Sequence, residues 1–355
     1  MVAGQTGFRP VRRGLFGVKP SRGRMLPGEA GGAHGPFKTN QAISRTVRDS
    51  AALFVHTEDP NGPFPTIGLV TGASTKRLRI GFARSLEGGI AVDPAVVAAQ
   101  ENTAQLLRDL GHEVVDAAIP INASEFFENY NGAFLGQFGV VADGARAITG
   151  ASARNSGLLD TFTATLIEYG SSIPAEVQAA GLEYLATVPT VYAQAFEEVD
   201  VLLSPAMPFL SIPANVMSPD TVVTDSVIDY LQSGLSFTAS ANVSGHCAMS
   251  VPLNWDPESG LPVGSMFQAA TGNDKMLYEL AFELEAARPW KDRWAPIAVE
   301  IRGRNIGRQK HSDRKRGRKR GADDCNRGCE RHSKYRTRQP PQCGPRHKGH
   351  QNHKG

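Results

Sequence analysis

The stretch from Leu78 to Val115 constrains the fold of this chain more than any other. Leu78-Arg-Ile-Gly-Phe82 is a short apolar run of the kind that forms a buried strand. Asp93 then offers an N-cap, with Pro94 at the first helical position. Val96, Val97, Ala104, Leu107 and Leu110 recur on one helical face before Gly111 stops the helix. Glu113-Val-Val115 follows as a second strand. Strand, helix and strand in that order make a βαβ-like unit, which predicts an α/β protein.

The flanking sequence agrees with that class. Residues 14–60 are rich in turn formers, which predicts a loop-rich segment lying over a scaffold and ending in a helix at 47–55. Residues 124–200 carry mostly helical patterns, with breaks expected at Gly150, Pro174 and Pro189. Asp200-Val-Leu-Leu-Ser204 reads as a buried strand that runs into Pro205 and Pro208, and strand ends of this kind are where α/β enzymes place ligands. Ala248-Met-Ser-Val-Pro252 reads as a further strand before a turn at 256–260. The last helical pattern carries Met276, Leu277, Leu280, Ala281 and Leu284 on one side and is stopped by Pro289, with Trp290 and Trp294 expected to pack its end.

Charge divides the chain unevenly. Residues 1–300 hold 20 Lys+Arg against 31 Asp+Glu, a net of −11, whereas residues 301–355 hold 18 against 4, a net of +14. The tail has one aromatic residue, Tyr335, and almost no aliphatic ones, so it cannot bury enough apolar surface to offset chain entropy. The expected organisation is a lead at 1–13, a main domain at 14–296 and a basic disordered tail at 297–355. Cys247 is the one cysteine of the body and has no partner there for a bridge, which suits a reducing, cytoplasmic setting. The most apolar stretch, 201–217, is broken by Pro205, Pro208 and Pro213, so no membrane span is expected.

Several motifs carry a resemblance. They are Gly14-Leu-Phe-Gly-Val-Lys-Pro-Ser-Arg-Gly-Arg24, Gly35-Pro36 and Ser44-Arg-Thr-Val-Arg-Asp49, followed by Leu78-Arg-Ile-Gly81 and Leu110-Gly-His-Glu113. Farther on come Asp200-Val-Leu-Leu-Ser-Pro205, Ala241-Asn-Val-Ser-Gly245, Pro252, Gly260-Leu-Pro-Val-Gly264 and Ala287-Arg-Pro-Trp290. In this order the chain resembles the amidase signature family, in particular members similar to 6-aminohexanoate cyclic dimer hydrolase and related bacterial amidases. The resemblance implies a mixed β-sheet flanked by helices, incomplete at its N-terminal side. It also implies hydrolysis of a carboxamide C–N bond in a linear or cyclic amide, with no cofactor or metal. In the family a serine attacks, a second serine in a cis-peptide loop relays its proton, and a lysine is the base. A hydroxyl is a poor nucleophile until a neighbour takes its proton, and the tetrahedral oxyanion needs positioned donors.

The resemblance places that lysine and both serines ahead of the Gly14 block, where this sequence has 13 residues. The position aligned with the nucleophile is Gln5, whose amide cannot replace an alkoxide, and nothing around Thr6 resembles a base. No catalytic residue is therefore assigned, and the chain is expected to be inactive as it stands. Back-translation adds a reason. Read from the third base of each codon, Met1 to Pro10 can encode Gly-Gly-Gly-Ser-Asn-Arg-Ile-Pro-Ala, which is the family's nucleophile motif. We therefore read the first dozen residues as an out-of-frame rendering of that loop, and the basic tail as a second candidate for the same event.

Among other polar residues, Ser21, Arg22 and Arg24 read as scaffold just past the nucleophile. His34 lacks a paired carboxylate and reads as an exposed loop residue. Asn242, Ser244, His246 and Cys247 form a polar turn that the resemblance sets beside the acyl cavity, with Cys247 as inert core. Ser204, Pro205 and Ser250 read as strand-end structure. In the tail, six of the seven residues from Arg314 to Arg320 are cationic, so binding to nucleic acid or another anionic surface is the alternative function. Cys325, Cys329, His332 and Cys343 fit no strong zinc spacing.

Overall fold

The computed structural model of the protein describes residues 13–26, 37, 39, 41–210 and 218–293. Seven strands form one mixed sheet: β1 (Phe16–Lys19), β2 (Ile43–Ser44), β3 (Arg79–Phe82), β4 (Glu113–Asp116), β5 (Val201–Pro205), β6 (Cys247–Trp255) and β7 (Pro262–Ala269). Their spatial order is β2-β1-β6-β7-β5-β3-β4. β3 lies parallel to both β4 and β5, and the remaining pairs are antiparallel.

The helices are α1 (Val47–Thr57), α2 (Pro94–Asp109), α3 (Ala123–Leu135), α4 (Phe138–Thr149), α5 (Thr161–Ser171), α6 (Ala175–Glu198), α7 (Asp225–Leu235), α8 (Ala239–Ser244) and α9 (Asp274–Ala287). Side chains alternate across the sheet and divide the core in two. Phe16, Val18, Val201, Leu203, Cys247, Met249, Val251, Phe267 and Ala269 face α1, α2 and α9. Leu202, Ala248 and Met266 face the opposite side, packed with α3, α6 and α8. The predicted βαβ unit is present: Asp93 accepts from the Ala95 amide at 2.8 Å, and β3 pairs in register with β4.

Four expectations need correcting. The turn-rich segment after Gly14 contains a fully buried strand, β1, whose four residues are too few for periodicity to reveal among Gly and Pro. Pro189 lies inside the 24-residue α6 and does not end it. Leu185, Val188 and Tyr192, buried on one face, hold the helix together past the missing N–H. β6 continues through Pro252 to Trp255, because a register shift between Val251 and Asn254 absorbs the residue that cannot donate. Ser250 is consequently an interior strand residue, not a strand end, whereas Ser204 does sit next to the last residue of β5. Trp290 packs as expected, at 6.3 Å from Phe16, while Trp294 lies outside the described residues.

Candidate functional site

The polar centre of the molecule gathers where β1 leaves the sheet and β6 enters it. The loop after β1 is fastened by carboxylates. Asp274, the first residue of α9, accepts from the Ser21 amide at 2.8 Å, the Ser21 hydroxyl at 2.6 Å and Arg24 Nε at 2.6 Å. The Gly272 amide donates to Ser21 Oγ at 2.8 Å. Arg24 also meets Glu58 at 2.7 Å, and all three charged side chains are at most 2% exposed. Ser21 and Arg24 are thus scaffold, as the sequence suggests.

Arg22 ties the same loop to the end of α8. Its guanidinium donates to the carbonyls of Asn242 at 2.5 Å and Val243 at 2.6 Å, and its amide to Gly245 O at 2.9 Å. A cation is favoured at a helix C-terminus, where carbonyls lack intrahelical partners. Gly245, at φ 81°, closes the helix in the left-handed region.

The structure brings together three of the four residues of the predicted polar turn. Asn242 donates to Phe37 O at 3.1 Å. His246 Nε2 donates to Gln268 Oε1 at 2.8 Å, so Nδ1 accepts from the Ser244 hydroxyl. The ring lies 4.6 Å from that of Tyr192, whose hydroxyl bonds Ser240 at 2.7 Å. Burial first, and then the nearby Lys19 charge, push His246 down to about 3, so it is neutral at physiological pH. Cys247 separates from this group because it faces the other side of the sheet. Its thiol donates to the carbonyls of Ala269 and Ala270 at 3.4 Å, and burial raises its pKa. It is inert core, as expected.

Three members of this centre escape sequence reasoning. Lys19, 4% exposed, donates at 2.7 Å to the adjacent Pro20 carbonyl, and burial pulls it down to about 8. Gln268 Nε2 and Ser250 Oγ are buried without a hydrogen-bond partner among the described residues. Lys19 pairs with Ala248, which pairs with Gln268, and Ser250 lies two residues along β6 on the same face. One signal was available for Lys19: Phe16-Gly-Val-Lys19 alternates, so its lysine falls opposite Phe16 and Val18.

Gln5, Thr6 and His34, together with Cys325, Cys329, His332, Cys343 and the basic run from Arg314 to Arg320, lie outside the described residues. Among the described residues no group of three or more His, Cys, Asp or Glu is placed to hold a metal ion. No described helix is long and apolar enough to cross a membrane.

The Amidase family model matches residues 12–278, which includes the whole of this polar centre. The chain belongs to the amidase signature family. It is 34% identical over 284 residues to the putative amidase AmiC of Mycobacterium leprae, covering 78% of this chain and 58% of that protein. To the putative amidase AmiB2 of Mycobacterium bovis it is 27% identical over 282 residues, covering 79% of this chain and 58% of that protein. The fold is shared with 6-aminohexanoate cyclic dimer hydrolase solved with substrate, at TM-score 0.69 and 24% identity, covering 82% of this chain and 64% of that one. A bacterial aryl acylamidase matches at TM-score 0.64 and 19% identity, covering 81% and 61%. The chain thus spans 58% of the length of both of those curated relatives.

Proposed function

We propose that this chain carries the sheet and acyl-side scaffold of a hydrolase acting on the C–N bond of linear or cyclic carboxamides, and that the polypeptide as written does not turn over. The observation that carries the first half is the family match across residues 12–278. The second half rests on Gln5 at the position the family resemblance assigns to the nucleophile. An amide at that position offers no alkoxide to form an acyl-enzyme. Among the described residues no serine hydroxyl bonds a lysine, and His246, held neutral by burial with both ring nitrogens engaged, is a poor base. The scaffold role is local: Asp274, Glu58 and Arg24 hold the loop that leaves β1, and Arg22 holds the α8–β6 turn against it. The small-molecule partner is the amide substrate, and no cofactor is required.

The test is an amine-release assay with an aryl acylamide and with 6-aminohexanoate cyclic dimer. The expected result is release at the buffer background, which loss of a catalytic serine approaches. Turnover above background that disappears on mutating one residue of this chain overturns the reading. Sequencing the gene tests the frame argument separately. A coding region whose second frame across residues 1–10 lacks Gly-Gly-Gly-Ser removes it.

A further inference from the structure

The sequence contains two Asn-Gly pairs, Asn61-Gly62 and Asn131-Gly132, and the fold treats them differently. In such a pair the asparagine carboxamide lies next to a backbone nitrogen that no Cβ shields. Asp59-Pro60-Asn61-Gly62 has the composition of a type I turn, and the Gly62 amide donates to the Asp59 carbonyl at 3.2 Å, the long end of a hydrogen bond. Asp59 Oδ1 accepts from the Asn61 amide at 2.9 Å, while the Asn61 side chain is exposed. Asn131-Gly132 lies instead inside α3, where the Gly132 amide belongs to the helical ladder. Gly132 is also packed on α6 so closely that an added Cβ would stand 2.9 Å from the Val177 carbonyl oxygen.

We infer that Asn61 is a site of spontaneous deamidation, and that its conversion loosens the turn covering the buried Arg24 network. The Gly62 nitrogen gives up its proton to solvent base and attacks Asn61 Cγ. The N–Cγ bond forms, the Cγ–Nδ2 bond breaks and ammonia leaves, which closes a succinimide. Water then opens the ring at either carbonyl to give isoaspartate or aspartate, so one water is consumed for one ammonia released and nothing is oxidised or reduced. The exposed turn opens by a local fluctuation, whereas the α3 pair reacts only after the helix and its packing on α6 come apart. Turn 59–62 matters because of what it holds. The Asp59 amide donates to Arg24 O at 2.8 Å, and a Cβ added at Gly62 would stand 2.8 Å from Gly23 O. Three residues on, the Pro65 carbonyl accepts from Arg24 at 2.9 Å. Isoaspartate at 61 lengthens the main chain of this tight turn by a methylene and adds a negative charge beside Asp59.

The experiment ages the full 355-residue chain in mildly alkaline and in mildly acidic buffer, then maps its peptides by mass spectrometry and by labelling with an isoaspartyl methyltransferase. The peptide holding Asn61 is expected to gain the mass of an amide-to-acid exchange and to take the label, faster in alkaline buffer. The peptide holding Asn131 is expected to lag by about a hundredfold in the folded chain and to catch up in urea. Equal rates at the two positions in the folded chain overturn the inference, as does an Asn61 peptide that stays unchanged while the urea-unfolded chain converts at both. Asn61→Gln keeps the backbone bonds of the turn and puts the carboxamide one methylene too far for five-membered closure. It is expected to remove the label from that peptide and to keep its melting temperature on ageing, whereas the aged wild type melts a few degrees lower. Aged wild type that is converted at Asn61 yet melts with aged Asn61→Gln overturns the coupling to the Arg24 network.

Discussion

Two buried cations a few residues apart on the same segment are treated in opposite ways. Arg24 donates to Asp274, Glu58 and the carbonyls of Pro65 and Gly272, so its guanidinium is surrounded by acceptors. Lys19 meets one carbonyl. A guanidinium fork matches carboxylates geometrically and stays charged, whereas an ammonium in the same surroundings can lose its proton. The difference teaches that burial alone does not say what a charge is for. The saturated cation is a fastener, and the one with a single carbonyl partner tolerates a titration.

The largest expected effect comes from breaking the saturated side. Arg24→Met strands two buried carboxylates and is expected to cost at least the roughly 3–5 kcal/mol of a broken buried pair. The urea midpoint reports it, and a midpoint within error of wild type would place the network among the ornamental ion pairs.

His246 comes next. Its folded pKa of about 3 lies below the ordinary histidine value of 6.5, because burial and the Lys19 and Arg22 charges disfavour the imidazolium. Between those two pH values the unfolded chain binds more protons than the folded one, so stability falls as pH falls. The loss by pH 4 is about 3 kcal/mol, and His246→Gln should flatten that part of the curve.

Lys19 gives a result of the same sign at high pH. Its folded value of about 8 lies below the ordinary lysine value of 10.5, so the unfolded chain holds the extra proton between them and stability rises with pH across that window. The gain from pH 8 to pH 9.5 is about 2 kcal/mol, read from urea midpoints across that range, and a flat curve there would break the contrast with Arg24.

The smallest effect is at the turn that Arg22 closes. A Cβ at Gly245 would stand 3.2 Å from Arg22 atoms with φ at +81°. Gly245→Ala is expected to cost about 1–2 kcal/mol in thermal melts, the penalty of a left-handed residue with a side chain.

Much of the architecture is legible in the sequence. The strand, capped helix and strand between Leu78 and Val115 are written in local signals, and Asp93-Pro94 starts its helix where the pattern says. Ser21 and Arg24 read as scaffold and Cys247 as core, and the structure agrees. Pro189 misleads because a single residue suggests a break, while the buried face that keeps α6 continuous is set by its packing on α3. The site is only half visible. Ser244 and His246 are close in the chain, but the third member of their hydrogen-bonded row, Gln268, arrives from the next strand.

By itself the sequence determined the fold class and the family, because periodicity, caps and contiguous motifs are local properties of a chain. The tertiary structure alone decided that Arg24 bonds two carboxylates directly while Lys19 donates only to the adjacent Pro20 carbonyl. Asp274 is 250 residues from Arg24, and Lys19 meets Ala248 and Gln268 only through strand register. Whether a buried charge finds its counter-charge is settled by which elements pack side by side, and no local pattern encodes that.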